Sequence, residues 1–327
     1  MRAAEMARLP RASHGLSQSD DLGLRAAWLY YSRGLIQKDI AAALGVSRST
    51  VIRMLEEARR RGEVTIRIDA VPGECTELAL ELERAFGLDE AIVVPGAGTP
   101  EETARDVGAA LGAWLSDVIA EDMVVGVGWG RTLHAALATF RPERRAGVEV
   151  LSLLGGRVEA QELNPADVAW NIANRLGARC LMLLAPLVVD SPETKRRLME
   201  ECGLGAVAAR AQGMDLAVIS CGEVGAAGSS LSHDFLTADE LSGLVAAGAV
   251  CDCMCHFLDA DGGRVDHPVH ARVMAVDLDA VAGAAHVVLA SGGAQRAAAI
   301  RATLRRTGCG TLVTDEAAAR ALLDAAP

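Results

Sequence analysis

The sequence predicts an α/β protein in two parts, an N-terminal helix-turn-helix (winged) head followed by a mostly parallel, doubly wound body. Three observations carry that reading. At 327 residues the chain exceeds one comfortable core. Half of it is apolar while aromatics make up only 3%, so Leu, Val, Ile and Ala must fill the interior, which suits helices packed on a parallel sheet. From residue 91 onward, short apolar runs alternate with helical patterns, the rhythm of strand–helix units covered on both faces.

Residues 1–20 are polar and unpatterned and are expected to form a disordered tail. The head is expected over 21–69. Leu24, Ala27, Trp28 and Tyr31 fall at i, i+3, i+4 and i+7, predicting a helix that covers the hairpin behind it and is stopped by Gly34. The stretch 37–61, QKDIAAALGVSRSTVIRMLEEARRR, then reads as helix, tight turn and helix. Ile40, Ala41 and Leu44 give the first helix an apolar face, Gly45 supplies the left-handed residue at its C-terminus, and Val46 drops beneath the turn. Ser47 caps a second helix whose Val51, Met54 and Leu55 face inward. Arg48, Ser49, Thr50 and Arg53 are left outward near its N-terminal end, where a recognition helix meets bases, with Gln37 alongside. Arg59, Arg60 and Arg61 close the helix, suiting both the dipole and DNA phosphates. Val64, Ile66 and Ile68 alternate as a short strand or wing, and 70–76 is the linker.

Charge divides the same way. Residues 1–70 hold 12 Lys and Arg against 8 Asp and Glu; as the whole chain is formally −11, the head's +4 leaves −15 on residues 71–327. A basic head on an acidic body fits double-stranded DNA at the head and argues against a second nucleic-acid surface.

The body is expected over 77–327. Leu78, Leu82 and Phe86 mark an amphipathic helix, expected to take part in oligomerisation. Strands are expected at 91–94, 123–127, 148–153, 181–184, 216–220, 287–290 and 311–313. Helices are expected at 103–119, 132–139, 166–175, 195–201, 238–246, 294–305 and 316–324. In such sheets ligands bind beyond the strand C-termini. VVGVGWGRT at 124–132 is a buried strand running into a Gly-rich loop and a helix start, which suits an anion or a hydroxyl-rich ligand. LLGGR at 153–157 and SGGAQR at 291–296 repeat the geometry, so Arg131, Arg157 and Arg296 could converge on a sugar phosphate.

In order, the helix-turn-helix, WGRT, LGG, the Asn171 helix, Ala185-Pro186, GAVCD at 248–252, HFLDADG at 256–262, GGAQR and LVTDE at 312–316 make the chain resemble SorC-type sugar-binding transcriptional regulators over about residues 22–325. The resemblance implies an effector-responsive, DNA-binding regulator of a carbohydrate or polyol operon, cytoplasmic and a homo-oligomer, tetramers being typical. Its effector domain would be related in fold to glucosamine-6-phosphate deaminase and ribose-5-phosphate isomerase. Carried over by motif, Gly128, Trp129, Gly130, Arg131 and Thr132 surround the effector, Gly155 and Gly156 lie opposite, and Asp252 accepts hydroxyl hydrogen bonds. Arg296 stands where the family usually has Lys, Cys251 where it has Gly, and Ser220-Cys221-Gly222 where Gly-Ile-Gly is expected.

The alternative is a sugar-phosphate isomerase or deaminase with a DNA-binding head. Asp252, Asp215, His256 and His270 are its acid/base candidates, and none sits at a family catalytic motif. The only lysines, Lys38 and Lys195, lie outside the pocket motifs, which disfavours a Schiff base. The spacing of Cys251, Cys253 and Cys255 on one strand face favours buried small residues over zinc, and no cofactor is implied. Nothing resembles a signal peptide or a membrane span. Because the acidic body repels anions unless Arg131 and Arg296 reverse the local sign, these arginines point to an anionic, phosphorylated sugar or polyol.

Overall fold

The head is three helices punctuated by two residues: α1 (Gln18–Tyr31), α2 (Gln37–Leu44) and α3 (Arg48–Arg60). α2 ends because Gly45 adopts φ 67°, and Val46 turns its amide back onto the Ala41 carbonyl at 3.0 Å. α3 starts because the Ser47 hydroxyl accepts the Thr50 amide at 3.1 Å. Ala26, Ala27, Ile40, Ala41, Val51, Leu55 and Ala58 form the core, and the alanines among them let the helices approach closely. The computed structural model describes residues 18–61, 63–64, 73–96, 98–157, 164–225 and 235–325. It divides the chain into two units, Met1–Asp69 and Ala70–Pro327.

Two expectations for the head are corrected. α1 already runs from Gln18, inside the expected tail. Its packed face is Ala26 and Ala27, whereas Leu24, Trp28 and Tyr31 are exposed; the guanidinium of Arg33 sits 4.7 Å from the centre of the Trp28 ring. Large apolar residues at helical spacing marked the outer face because small ones serve the core. Of the expected wing, residues 65–68 lie outside the described residues, as do 1–17 of the tail and 70–72 of the linker.

The body opens with α4 (Gly73–Phe86), which starts within the stretch expected to be linker. Leu78 and Leu82 are buried in the body's own core, so the expected oligomerising stripe is spent inside the subunit. Then follow β1 (Glu90–Val94), α5 (Pro100–Val118), β2 (Val124–Val127), α6 (Arg131–Ala136), β3 (Glu149–Ser152), α7 (Pro165–Leu176), β4 (Arg179–Leu181), α8 (Pro192–Glu200), α9 (Gly205–Ala211) and β5 (Leu216–Ile219). After β6 (Gly222–Glu223) come α10 (Ala238–Ala246), β7 (Cys251–Cys253), β8 (His256–Leu258), α11 (Leu278–Ala282), β9 (His286–Ala290), α12 (Ala297–Thr307), β10 (Thr311–Asp315) and α13 (Glu316–Asp324).

Among the described residues seven strands make one parallel sheet, ordered β1-β10-β9-β5-β2-β3-β4. Both faces are buried, as period-two alternation requires. Val125, Val127, Val150 and Val218 meet α5, α6 and α7, while Leu151, Ala217, Ile219 and Leu289 point into the other core with α4, α12 and α13. Gly108 and Gly112 let α5 lie directly on α6: a Cβ at Gly112 would fall 2.1 Å from the Ala136 carbonyl oxygen. The strand expected at 181–184 is displaced to Arg179–Leu181, because Leu183 packs in a separate cluster and Leu184 is exposed. The helix expected at 294–305 is a 3-10 turn, Ala294–Arg296, running into α12. Of the antiparallel sheet β6-β7-β8 only a strand through Cys251 and Cys253 was expected, and α9 and α11 had no counterpart among the expectations.

A candidate effector cleft at the sheet's switch point

The sheet order reverses between β2 and β5: the chain leaves β2 towards β3 on one side and β5 towards β9 on the other. At such a point neighbouring loops diverge and a crevice opens beyond the strand ends. Here it is a cleft of about 560 Å³, open solvent at its mouth included, a size suited to a small molecule. Trp129, Gly130, Arg131 and Thr132 line it after β2, Ser220, Cys221 and Gly222 after β5. Gly130 holds φ 149°, a conformation for which a side chain is unfitted, and its missing Cβ would sit 3.4 Å from Ser220. Leu154 enters after β3 and Arg296 after β9, and Asp252, Met254 and Cys255 come from the β7–β8 hairpin.

That hairpin is bent by Met254 (φ 54°) and Cys255 (φ 61°), two side-chain-bearing residues in the left-handed region. Such strain of order 1–3 kcal/mol per residue persists where surroundings impose it. Asp252 does so by accepting the Cys255 amide at 2.8 Å. The wall opposite is aromatic. Trp129 meets Phe235 edge-on at 5.6 Å, and the Arg157 guanidinium lies 5.5 Å over the other ring. Trp129 is 8% exposed and its Nε1–H is buried without a partner among the described residues.

Arg296 is 8% exposed and donates from Nε to Glu223 at 2.9 Å, so its charge is already matched by a carboxylate. Arg131 lies 3.7 Å from the exposed Glu101. The thiols of Cys221 and Cys251 are hydrogen-bonded to each other, and Cys251 also meets the Thr303 hydroxyl at 3.2 Å. That contact with Cys251, above all, pulls the Cys221 thiol down, whereas burial pushes Cys251, Cys253 and Cys255 well up. Cys255 lies in the turn rather than on the strand with Cys251 and Cys253, and no three metal-capable side chains gather among the described residues.

The second candidate surface is the outer face of α3. Arg48, Ser49 and Arg53 are exposed there and Thr50 is half-buried. Arg48 donates to Gln37 at 3.3 Å, joining the first turns of α2 and α3. Arg60 and Arg61 both bond Glu57, holding its carboxyl down at about 2, whereas Arg59 is exposed beside them.

Comparison with known proteins decides the family. The Sugar-bind family, a sugar-binding domain, matches residues 71–324. The chain belongs to this SorC-type family of sugar-binding transcriptional regulators. It is 30% identical to the transcriptional regulator LsrR of Klebsiella pneumoniae over 93% of each chain. It is 28% identical to the erythritol catabolism regulatory protein EryD of Brucella abortus over 93% of this chain and 96% of that one. The full-length sorbitol operon regulator SorC of Klebsiella pneumoniae superposes with a TM-score of 0.70, at 25% identity over 93% of this chain and 99% of that one. These relatives are transcriptional regulators, and so is this family member: a DNA-binding regulator rather than an enzyme.

The placement of side chains agrees. Of the four acid/base candidates only Asp252 lines the cleft. Asp215 accepts the Val124 amide at 2.8 Å at the far end of the sheet. His256 bonds the Val276 carbonyl at 3.0 Å, and His270 accepts the Phe257 amide at 3.1 Å. Lys195 is tied to the His270 carbonyl and does not line the cleft, nor does Lys38.

Trp129 to Thr132, Asp252 and Arg296 are thus brought together in this regulator. Gly128 is placed behind them, its amide on the Val218 carbonyl at 2.8 Å. Gly155 and Gly156 do not line this cleft: Gly155 bonds the Met274 carbonyl at 2.7 Å, and Gly156 borders a separate hollow with Arg157, Asn164 and Leu183 to Pro186. Met254, Phe235 and Glu223 escaped sequence reasoning, whereas Cys221 stood out there only as a departure from the expected Gly-Ile-Gly.

Proposed function

We propose that this regulator binds operator DNA through α2 and α3 as a homo-oligomer in the cytoplasm, and that a sugar or polyol seated in the cleft shifts the population between two arrangements of its subunits. The observation that carries this is the convergence of the β2, β5 and β9 loops with the β7–β8 hairpin on one small-molecule cleft, in a chain that also carries a helix-turn-helix. Trp129, Gly130, Arg131, Thr132, Asp252 and Arg296 contact the effector, with Gly128 shaping the backbone behind them. Gln37, Ser47, Arg48, Ser49, Thr50 and Arg53 face the major groove, and Arg59 and Arg60 face phosphates. Erythritol and sorbitol in the names of the relatives make polyols the first class to try.

The test is a thermal-shift panel of sugars, polyols and their monophosphates, run beside an assay for turnover. A saturable rise in the body's melting temperature without product is expected. Turnover of any panel member at enzymatic rates would replace the regulator's cleft with an active site.

A further inference from the structure

The cleft's charge balance names the class of ligand. Two arginines line it, but Arg296 is 10% exposed at its side chain and bonded at 2.9 Å to Glu223, itself only 20% exposed. Asp252 adds a second carboxylate at the wall, and Arg131 has Glu101 at 3.7 Å. Among the described residues, each arginine lining the cleft therefore already faces a carboxylate. A phosphate reaching the remaining nitrogens of Arg296 would sit beside the Glu223 carboxylate that already occupies Nε, and repulsion between the two anions in this partly buried place offsets what the guanidinium returns. The amides after β2 cannot redress this, because α6 has six residues and too short a dipole to hold an anion. What remains on the walls suits an uncharged polyhydroxylated carbon chain. The Asp252 carboxylate and Ser220 take hydroxyl hydrogens, and the Trp129 N–H, which has no acceptor among the described residues, would meet a ligand oxygen. Leu154, Phe235 and Met254 cover C–H faces.

We infer that the effector is an uncharged polyol or free sugar, and that Glu223, by pairing Arg296, is the residue that excludes phosphorylated analogues. This rests on the cleft being the effector site, and it reverses the anionic effector expected from the loop arginines alone.

The test uses the full chain, calorimetry, and three sets of probes: inorganic phosphate, a panel of three- to six-carbon polyols and aldoses, and their monophosphates. Wild type is expected to bind a free panel member, to bind its monophosphate at least tenfold more weakly, and to show no saturable binding of inorganic phosphate. In Glu223→Gln, which frees the Arg296 guanidinium, affinity for phosphate and for the monophosphate should rise about tenfold to a hundredfold, the worth of a charge-assisted hydrogen bond. A monophosphate binding wild type more tightly than its parent overturns the inference even if Glu223→Gln fails to fold. Unchanged phosphate binding in a folded Glu223→Gln overturns the role of Glu223. Absence of binding by every free and phosphorylated member would instead remove the effector-site reading itself.

Discussion

At the scale of the residue, three arginines of α3 have different partners and therefore different expected roles. Arg48 is fixed to Gln37 beside the exposed first turn, in the position of a base reader. Arg60 is bonded to Glu57, whereas Arg59 is exposed. Arg48→Ala should lower discrimination between a selected duplex and a mismatched one by about 1–3 kcal/mol. Arg59→Ala should weaken both duplexes alike and reduce the slope of log K against log salt by about 0.9. Arg60→Ala should change that slope less, because the Glu57 carboxylate already offsets part of its charge before DNA is met. Anisotropy titrations at several salt concentrations measure all three, and an unchanged discrimination ratio in Arg48→Ala would contradict its placement.

At the scale of the element, α5 positions the cleft from behind by fixing α6, and the fit has no slack. Gly112→Ala would put a methyl 2.1 Å from the Ala136 carbonyl and 2.4 Å from the Thr139 hydroxyl, so it should destabilise the body by about 1–3 kcal/mol. Denaturant melts of the two proteins read this; equal midpoints would show the contact to be yielding. The β8 region carries a pH response. Burial, and then the neighbouring His256, holds His270 down at about 4 against an ordinary 6.5, because its Nε2 must stay unprotonated to accept the Phe257 amide. Between those values the unfolded chain binds the extra proton, so this contribution is intact above about 6.5 and is lost as pH falls towards 4. His270→Gln should start less stable at pH 7 and lose less on acidification, and parallel melting curves against pH would contradict it.

The inner parallel strands such as β2, β5 and β9 were legible because they are buried along almost their whole length and read as apolar runs, whereas the partly exposed edge strand β4 was misplaced. The β7–β8 hairpin was not legible, since turns of that kind announce themselves with Asn-Gly and this one uses Met254 and Cys255. Glu223 was invisible for a different reason: it lies 73 residues from Arg296, and only the fold brings them together.

At the scale of the whole molecule, a basic helix-turn-helix and an acidic sensing body share one chain, and one head reads only a few base pairs. Useful affinity therefore needs at least two heads on one duplex, and sedimentation at micromolar concentration should give a dimer or larger; a monomer with and without DNA would contradict the proposed assembly. The stripe of α4 is not the contact, since Leu78 and Leu82 are buried within the subunit. Among the described residues the large apolar side chains left outside are Leu80, Trp170, Leu184 and Val245 on the body, and Leu24, Trp28, Tyr31 and Ile36 in the head.

Under the proposed function, occupancy of the cleft and DNA binding are thermodynamically coupled. The most direct measurement is the affinity of the full chain for a duplex it has itself selected from a random pool, taken with and without a saturating polyol from the thermal-shift panel. A change of about 5- to 150-fold in Kd is expected, mirrored by the same factor in polyol affinity when DNA is present. A polyol that binds the cleft while leaving the DNA affinity unchanged would contradict that coupling.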